Sequence, residues 1–526
     1  MMNKFKRIIS AVMLLVMTAS CTMRPNGGKN EEAEVIVKER RSEIRILAEE
    51  GKSLLPIDDI PESLAEALMM VYEPLYDFDE ALNPIPVLAE TCTKSGNNQY
   101  WITLKKGVYW HDGTEFVSND VIYTFNMLKN SGSVFADDVK KIEQIDYSNK
   151  HKILVTLAEP VANFVGLLSF PIVKRSSSSE KLKNLAPIGT GPYKFSEKKN
   201  NSYYFVKNNR WHGGEASEKT VIITTLKDKQ SAIYAFEANE GDVISSKIMN
   251  LKENTPRGKI KIQSYTSNNL TFLGMNTSEG ILSKAEIRQA ISYLIDKEEI
   301  VKNDVYSQGV AVNVPIYPGV WFYSSQNDMV ETKAEDNYFE PLLNAEGWYK
   351  KNGIYAKDFG EYEADLTLSI LVNKDNSEKT AIAKRIASAL GRSGIVVKIK
   401  AVPYEQYSGR VRSGDFSMFI GEMAADKNMD PSKFVKSGRN FFLYSNSDMD
   451  SIVNRMARAE NNEELIAVCS EFVGKFNEQM PFVPLFFRNE ALICNSVLAG
   501  YHTANYYHTY RGMENWYFSQ KVELSE

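Results

Sequence analysis

The sequence predicts an α/β fold with more than one lobe, and three observations support this prediction. Residues 366–402 predict a strand, a helix and a second strand, because two apolar runs flank a segment with apolar side chains at helical spacing. Residues 100–104 alternate as a strand does, and a helical pattern follows over 118–128. The chain has 526 residues, more than one hydrophobic core usually supports, so two or three lobes are expected.

The N-terminal segment predicts secretion and attachment to a membrane. Basic residues precede an apolar run, 8–17, that is too short to span a bilayer, which is typical of a signal peptide over 1–20. The run ends in Thr-Ala-Ser-Cys, which resembles the lipobox of bacterial lipoproteins and predicts a lipid on Cys21. If Cys21 is not modified, the protein is released instead. Residues 21–41 are polar and predict a flexible tether behind the lipid anchor.

The composition is that of a globular protein with no basic surface. Acidic residues number 67 against 62 basic ones, a formal net charge of -5, so nucleic-acid binding is not expected. The three cysteines after Cys21 are Cys92, Cys469 and Cys494, whose spacing predicts neither a disulfide framework nor a zinc site. We expect them to be core thiols. No segment after the signal peptide has the length and apolarity of a membrane span.

The region around the first predicted helix combines a turn with an N-terminal cap. Asp112 and Gly113 predict a tight turn, and Ser118 is expected to cap the helix with Val117 and Ile122 as a hydrophobic staple. His111 beside Asp112 suggests a catalytic pair. Adjacent residues around a turn point apart, however, and no nucleophile motif accompanies them, so a structural role is favoured.

The rest of the chain alternates between strands and helices. The Gly-Thr-Gly-Pro-Tyr stretch at 189–193 is interpreted as a structural turn, because a lone Gly-x-Gly without a following helix is weak support for phosphate binding. Strands are predicted at 43–48, 193–195, 203–206, 366–372, 395–402, 416–421 and 481–487, and helices at 61–71, 286–295, 379–390, 449–458 and 464–480.

Three stretches, 104–128, 189–195 and 272–300, resemble motifs of one family. They resemble the peptide/nickel-type extracellular solute-binding proteins, family 5, of bacterial ABC importers, in the branch of oligopeptide- and dipeptide-binding lipoproteins. The resemblance implies a type II periplasmic-binding α/β fold with two main lobes, a hinge and a third small lobe. It places lobe I in 42–76, 186–268 and 483–526, lobe II in 77–185, and lobe III in 269–482.

The candidate ligand site is the loop Gly-Glu-Met-Ala-Ala-Asp-Lys-Asn-Met-Asp-Pro at 421–431, directly after a predicted strand. In peptide-binding relatives the matching loop carries an Asp that holds the ammonium group of the ligand, and the resemblance assigns this role to Asp426. Gly421, Glu422 and Met423 are expected beside it, with Glu422 as a second anion that favours a cationic ligand. The alternative is that Asp426 is a solvated loop acid.

Nothing in the sequence predicts catalysis or a cofactor. There is no Gly-x-Ser-x-Gly or His-Glu-x-x-His motif, and the chain has only five histidines, so we do not expect an enzyme. His502 and His508 could in principle bind a metal. Their spacing fits neither one helical face nor a tight loop, and a structural role is favoured.

The sequence therefore predicts a monomeric receptor anchored by lipid to the outer face of a bacterial membrane or in the periplasm. We expect it to bind oligopeptides and deliver them to the permease and ATPase subunits of an ABC importer. Two alternatives stay open. The receptor binds another small solute, such as a nickel chelate or an oligosaccharide, or it is a peptide sensor or chaperone lipoprotein without transport.

Overall fold

A computed structural model describes residues 42–175, 186–246, 259–278, 280–324, 339–500 and 503–519. The predicted signal peptide, Cys21, the tether 21–41 and His502 lie outside these residues. Within them, no helix combines the length and the apolarity needed to cross a bilayer.

The strands of the first half of the described chain are β1 Glu43–Glu49, β2 Tyr76–Phe78, β3 Pro84–Pro86, β4 Ala89–Lys94, β5 Gln99–Leu104, β6 Ile142–Asn149, β7 Lys152–Leu157, β8 Tyr193–Lys199, β9 Ser202–Lys207, β10 Thr220–Leu226 and β11 Val243–Ser245. Those of the second half are β12 Ile260–Met275, β13 Gly309–Ala311, β14 Tyr349–Lys351, β15 Ile354–Asp358, β16 Glu363–Asp365, β17 Thr367–Asn373, β18 Val396–Val402, β19 Met418–Ala424, β20 Phe482–Asn495, β21 Leu498–Ala499 and β22 Tyr517–Phe518.

The α-helices are α1 Glu62–Ala67, α2 Ser118–Leu128, α3 Ala136–Val139, α4 Lys229–Glu237, α5 Ala285–Tyr293, α6 Lys297–Asn303, α7 Phe339–Ala345, α8 Ser377–Arg392, α9 Tyr404–Ser413, α10 Ser432–Val435, α11 Ser447–Arg458 and α12 Asn462–Gln479. Short 3-10 turns lie at Leu68–Met70, Phe164–Leu168, Ile281–Ser283 and Met513–Asn515.

One large mixed sheet forms the frame of the molecule. Its strand order is β18-β17-β19-β12-β20-β11-β1-β10-β9-β8, and β13 pairs with β20 beside this path. Strands β17 and β18 are parallel and α8 connects them, which is the predicted strand-helix-strand unit. A separate antiparallel sheet, β4-β5-β7-β6, lies wholly within 77–185. The large sheet combines strands from the predicted lobes I and III, and the lobe boundaries remain a prediction.

Two long strands join the parts of the large sheet. β12 and β20 pair antiparallel along most of their length, and the register shifts between Thr266 and Leu270. The shift falls where the sequence predicts the passage from lobe I to lobe III. Beneath these strands the rings of Phe272, Phe442 and Phe482 contact one another, with centroids 4.4 to 5.4 Å apart. The core is therefore continuous under β12, β19 and β20.

The predicted cap of the first long helix is wrong. Helix α2 begins at Ser118, whose buried hydroxyl donates to the carbonyl oxygen of Asn149 at 2.7 Å. The capping acceptor is Asp120, whose Oδ2 accepts the backbone N–H of Val117 at 3.0 Å and the indole N–H of Trp110 at 3.3 Å. The carboxylate of Asp120, the third residue of the helix, therefore forms the N-terminal cap that the sequence assigns to Ser118.

The Gly-Thr-Gly turn is structural, as predicted. A Cβ on Gly189 would lie 1.7 Å from the carbonyl oxygen of Val71, and one on Gly191 would lie 2.5 Å from that of Met70. The turn is held by His111, whose Nδ1 accepts the N–H of Gly189 at 3.2 Å while its Nε2 lies 3.0 Å from the carbonyl oxygen of Gly191. Both ring nitrogens are thus engaged with the backbone.

Candidate functional site

The carboxylate of Asp426 lies directly after β19 and contacts two lysines. Its Oδ2 is 2.6 Å from the Nζ of Lys141, which comes from the 77–185 segment. Its Oδ1 is 3.0 Å from the Nζ of Lys433, which lies in α10. The Asp426 side chain is about one-quarter exposed, at 26%. The structure therefore places Asp426 where two segments far apart in the sequence meet.

The charges around Asp426 keep it ionised. Burial alone would raise the pKa of this carboxyl group, but the ammonium groups of Lys141 and Lys433 outweigh burial and hold the pKa below its ordinary value. The Nζ of Lys433 also donates to the carbonyl oxygen of Ala424 at 2.9 Å. One ammonium group thus bridges a carboxylate and a backbone carbonyl oxygen.

One edge of β19 is open beside this carboxylate. β12 pairs along the whole opposite edge, whereas β17 pairs with this edge only at Met418 and Phe419. Residues 420–424 pair on this side with no strand of the described chain. The carbonyl oxygens of Ile420 and Ala424 accept hydrogen bonds from Tyr407 at 2.7 Å and from a lysine at 2.9 Å. Because the direction of the backbone groups alternates along a strand, the N–H and C=O groups of Glu422 face the same edge as the carbonyl groups of Ile420 and Ala424.

Glu422 lies on β19 but points to different partners from those of Asp426. Its Oε2 is 3.6 Å from the Nζ of Lys379 and 3.4 Å from an Nη2 of Arg488, and it accepts the hydroxyl of Thr271 at 3.4 Å. Its negative charge is therefore balanced within the chain. The preference for a cationic ligand that we expected from Glu422 stays a prediction.

Gly421 and Met423 are held by packing. A Cβ on Gly421 would lie 2.5 Å from ring atoms of Phe272 and 2.8 Å from the ring of Phe419, so the strand approaches these aromatic side chains too closely for any other residue. Met423 is half-buried and packs against the core at the end of the strand. Both residues thus fix the position of the open edge.

The loop after Asp426 is fastened to the 77–185 segment. The amide of Asn428, which is fully buried, donates to the carbonyl oxygen of Ala162 at 2.8 Å. The amide of Asn163 donates in return to the carbonyl oxygen of Asn428 at 3.1 Å. A Cβ on Gly166 would lie 2.7 Å from the Cα of Asn428, so the two backbones touch. This contact sets the distance between the two segments at the site.

A buried ion pair lies next to Asp426. The Nζ of Lys427 donates to the Oδ2 of Asp138 at 3.0 Å, and it lies 4.9 Å from the centre of the Phe135 ring. Burial raises the pKa of Asp138 to about 6, although the charge of Lys427 opposes the rise. The hydroxyl of Tyr507 donates to the carbonyl oxygen of Lys427. These contacts join the 77–185 segment, the 269–482 segment and the C-terminal segment.

The other residues singled out in the sequence lie elsewhere. Asp112 accepts from Thr114 and contacts Lys174, whereas His111 faces the Gly-Thr-Gly turn, so these two neighbours share no partner. The Nδ1 of His508 is 3.3 Å from the Oδ2 of Asp77. Among the residues that the structure describes, no group of three or more His, Cys, Asp or Glu side chains is arranged to hold a metal ion.

A cavity of about 250 Å³ lies on the side of the C-terminal segment. Glu73, Asp77, His508 and Arg511 contribute its polar lining, and Met70 and Met513 are among its apolar walls. Residues 421–433 do not line it. The cavity is thus separate from the open edge of β19.

Sequence reasoning missed the two lysines that contact Asp426 and the asparagines that join the segments. Lys433 lies only seven residues after Asp426, so this short separation in the sequence could have indicated their contact. No such indication exists for Lys141, because it follows α3 in another segment and only tertiary packing brings it to the carboxylate.

Comparisons with known proteins point to one family. Residues 83–440 match the bacterial extracellular solute-binding proteins, family 5, middle region. The oligopeptide-binding protein AppA of Bacillus subtilis is 22% identical over 489 residues, which cover 88% of each chain. The nickel-binding periplasmic protein of Escherichia coli is 24% identical over 395 residues, covering 71% of this chain and 73% of that one.

Solved structures of similar proteins show the fold. The periplasmic murein tripeptide-binding protein MppA, in an unliganded open form, superposes with a TM-score of 0.78 at 18% identity, covering 91% of this chain and 98% of that one. A nickel ABC transporter protein from Bacillus halodurans gives a TM-score of 0.75 at 17% identity, covering 91% and 100%. The α/β fold is therefore that of these binding proteins, as the sequence predicts.

Proposed function

Because this chain belongs to family 5 of the bacterial extracellular solute-binding proteins, we propose that it captures short peptides and delivers them to an ABC permease. The family consists of binding proteins, and we propose no catalytic activity for this member. The proposal includes a lipid on Cys21 and a position outside the cytoplasmic membrane. Names of relatives such as the oligopeptide-binding protein AppA support a peptide as the ligand.

One observation carries the proposal: an ionised carboxylate stands at the end of an open strand edge. A peptide that adds to the edge of β19 beyond Phe419 would pair with the peptide groups of Glu422, which face this edge, as a further strand does. Its amino terminus would then reach Asp426, whose carboxylate already accepts ammonium groups at 2.6 and 3.0 Å. Charge-assisted bonds of this kind hold one end of a ligand whatever its side chains are.

The first experiment identifies what the protein carries. Purified protein is denatured, and the released small molecules are identified by mass spectrometry. We expect a mixture of short peptides. A single nickel chelate or a sugar in their place would overturn the peptide assignment and favour the receptor for another small solute.

The second experiment tests the carboxylate. Asp426→Asn keeps the shape of the side chain and removes its charge, so the affinity for peptides in calorimetry should fall by about 1.5–3 kcal/mol, the range of a hydrogen bond to a charged group. Asp112→Asn is the matched control, because this carboxylate pairs with Lys174 away from the strand edge. Equal affinities of the two variants would remove Asp426 from the ligand site.

A further inference from the structure

We propose that Lys433 is a built-in competitor of the ligand, which occupies the ammonium subsite of the empty receptor and sets its affinity. This inference rests on the proposed function, because it concerns the same site. Its ammonium group lies 3.0 Å from the Oδ1 of Asp426 and 2.9 Å from the carbonyl oxygen of Ala424. These are the two acceptors that the amino terminus of a peptide on the β19 edge would use.

The subsite has room for one ammonium group. Lys141 already contacts the other carboxylate oxygen, Oδ2, at 2.6 Å. A ligand ammonium added beside Lys433 would bring three positive charges to one carboxylate, and like charges at such distances repel strongly. The ligand and Lys433 therefore exclude each other, whereas the ligand and Lys141 use different oxygens.

The ammonium group of Lys433 can leave Asp426, whereas that of Lys141 is held in place. The Lys433 side chain is 37% exposed, so its flexible stem can carry the ammonium group into water at little cost. Lys141 is less exposed, at 28%, and its Nζ also lies 3.4 Å from the Oδ1 of Asn428, which is fully buried. Lys141 thus remains as the fixed countercharge, and Lys433 is the exchangeable one.

The competition gives the receptor a selectivity for the charge at the peptide terminus. A free amino terminus replaces the lysine with an equal charge, and Asp426 stays neutralised throughout. A peptide with a blocked terminus has no charge that could replace the lysine, so it would bind without using the subsite and would leave Lys433 on Asp426. Removing Lys433 should therefore strengthen the binding of free peptides and leave that of blocked peptides almost unchanged.

The test compares Lys433→Met with Lys436→Met. Methionine keeps the unbranched stem and removes the ammonium group. Lys436 lies three residues further along, and its nearest acid is Glu159 at 3.9 Å, so its substitution makes the same change of net charge without touching Asp426. Each protein is titrated with a mixed pool of short unmodified peptides and with the same pool after acetylation of the amino termini. Circular dichroism confirms that both variants are folded.

We expect Lys433→Met to bind the unmodified pool about tenfold more tightly than wild type, the factor expected if the subsite is open about one-tenth of the time. Lys436→Met and the acetylated pool should show no such gain. Weaker binding by Lys433→Met, or an equal gain in Lys436→Met or with the acetylated pool, would overturn the competition alone. Absence of peptide binding by wild type would instead overturn the proposed function, and the competition with it.

Discussion

Acidification from pH 7 to pH 5 should tighten the contact between Asp138 and the 426–431 loop. Burial raises the pKa of Asp138 from the ordinary value of 3.8 to about 6, with Lys427 opposing the rise and Asp137 and Asp426 adding to it. When the loop lifts away, Asp138 reaches water and its pKa returns towards the ordinary value. The packed state therefore binds a proton more readily than the opened state.

The sign and size of the effect follow from linkage. A group whose pKa is raised in the packed state contributes stability that is fully present below the lower pKa and is lost as the pH rises through the higher one. For Asp138 that window lies between 3.8 and about 6. Between pH 7 and pH 5 the free energy of opening the loop should rise by about 1.4 kcal/mol, because about one pH unit of this step lies below the higher pKa. This corresponds to about a tenfold lower population of the opened loop at pH 5.

Hydrogen exchange with mass spectrometry measures this population in peptides that cover 135–141 and 426–431, after correction for the intrinsic pH dependence of exchange. Wild type should gain about tenfold in protection at pH 5. Asp138→Asn is the matched control, since it keeps the shape and cannot titrate, and it should gain nothing. An equal gain in both proteins, or a loss of protection in wild type on acidification, would refute the reasoning.

Two further predictions concern packing. Gly166→Ala should destabilise the protein by about 1–3 kcal/mol in urea unfolding, because the added Cβ would press on Asn428. The control Gly474→Ala, which adds a Cβ in open space on α12, should stabilise the protein by about 0.5–1 kcal/mol. Equal effects of the two substitutions would contradict the close contact at Gly166. Arg288→Met should cost about 3 kcal/mol, because the buried guanidinium donates to the carbonyl oxygens of Met480 and Leu282 at 2.8 and 2.7 Å; an unchanged urea midpoint would show that these carbonyls find other donors.

The sequence predicted best the elements whose signal is local. The unit β17-α8-β18 was placed within two residues, since apolar spacing alone distinguishes its strands from its helix. The end of β20 was missed. The prediction stopped at 487, before the polar stretch Arg488-Asn489-Glu490, but the strand continues to Asn495 because β12 supplies backbone partners there. Backbone pairing with β12 therefore extends the strand beyond the residue at which the side-chain pattern predicts its end.

The family was predicted correctly from three motifs, none of which includes the carboxylate that we propose for the ligand. His111 in the first motif holds the Gly189 turn, so this residue of the pattern has a structural role. At the candidate site the resemblance predicts Asp426 as a ligand residue, which stays a prediction, but the sequence could not supply its partners. The ion pair with Lys141 joins residues that no local pattern relates, and its geometry comes from packing between segments.

The pairing of β11 with β20 constrains the order in which the chain can fold. Residues Val243–Ser245 of β11 lie between β1 and β20, and their partners on one side are Leu492, Ile493 and Cys494. When the chain is synthesised from its N-terminus, the strands around β1 can therefore pair early. The other edge of β11 stays unpaired until residues 492–494 have been made. Long-range strand pairing of this kind is slow and leaves an unpaired edge exposed to aggregation. Truncation before residue 492 should thus damage the part of the sheet that was made first.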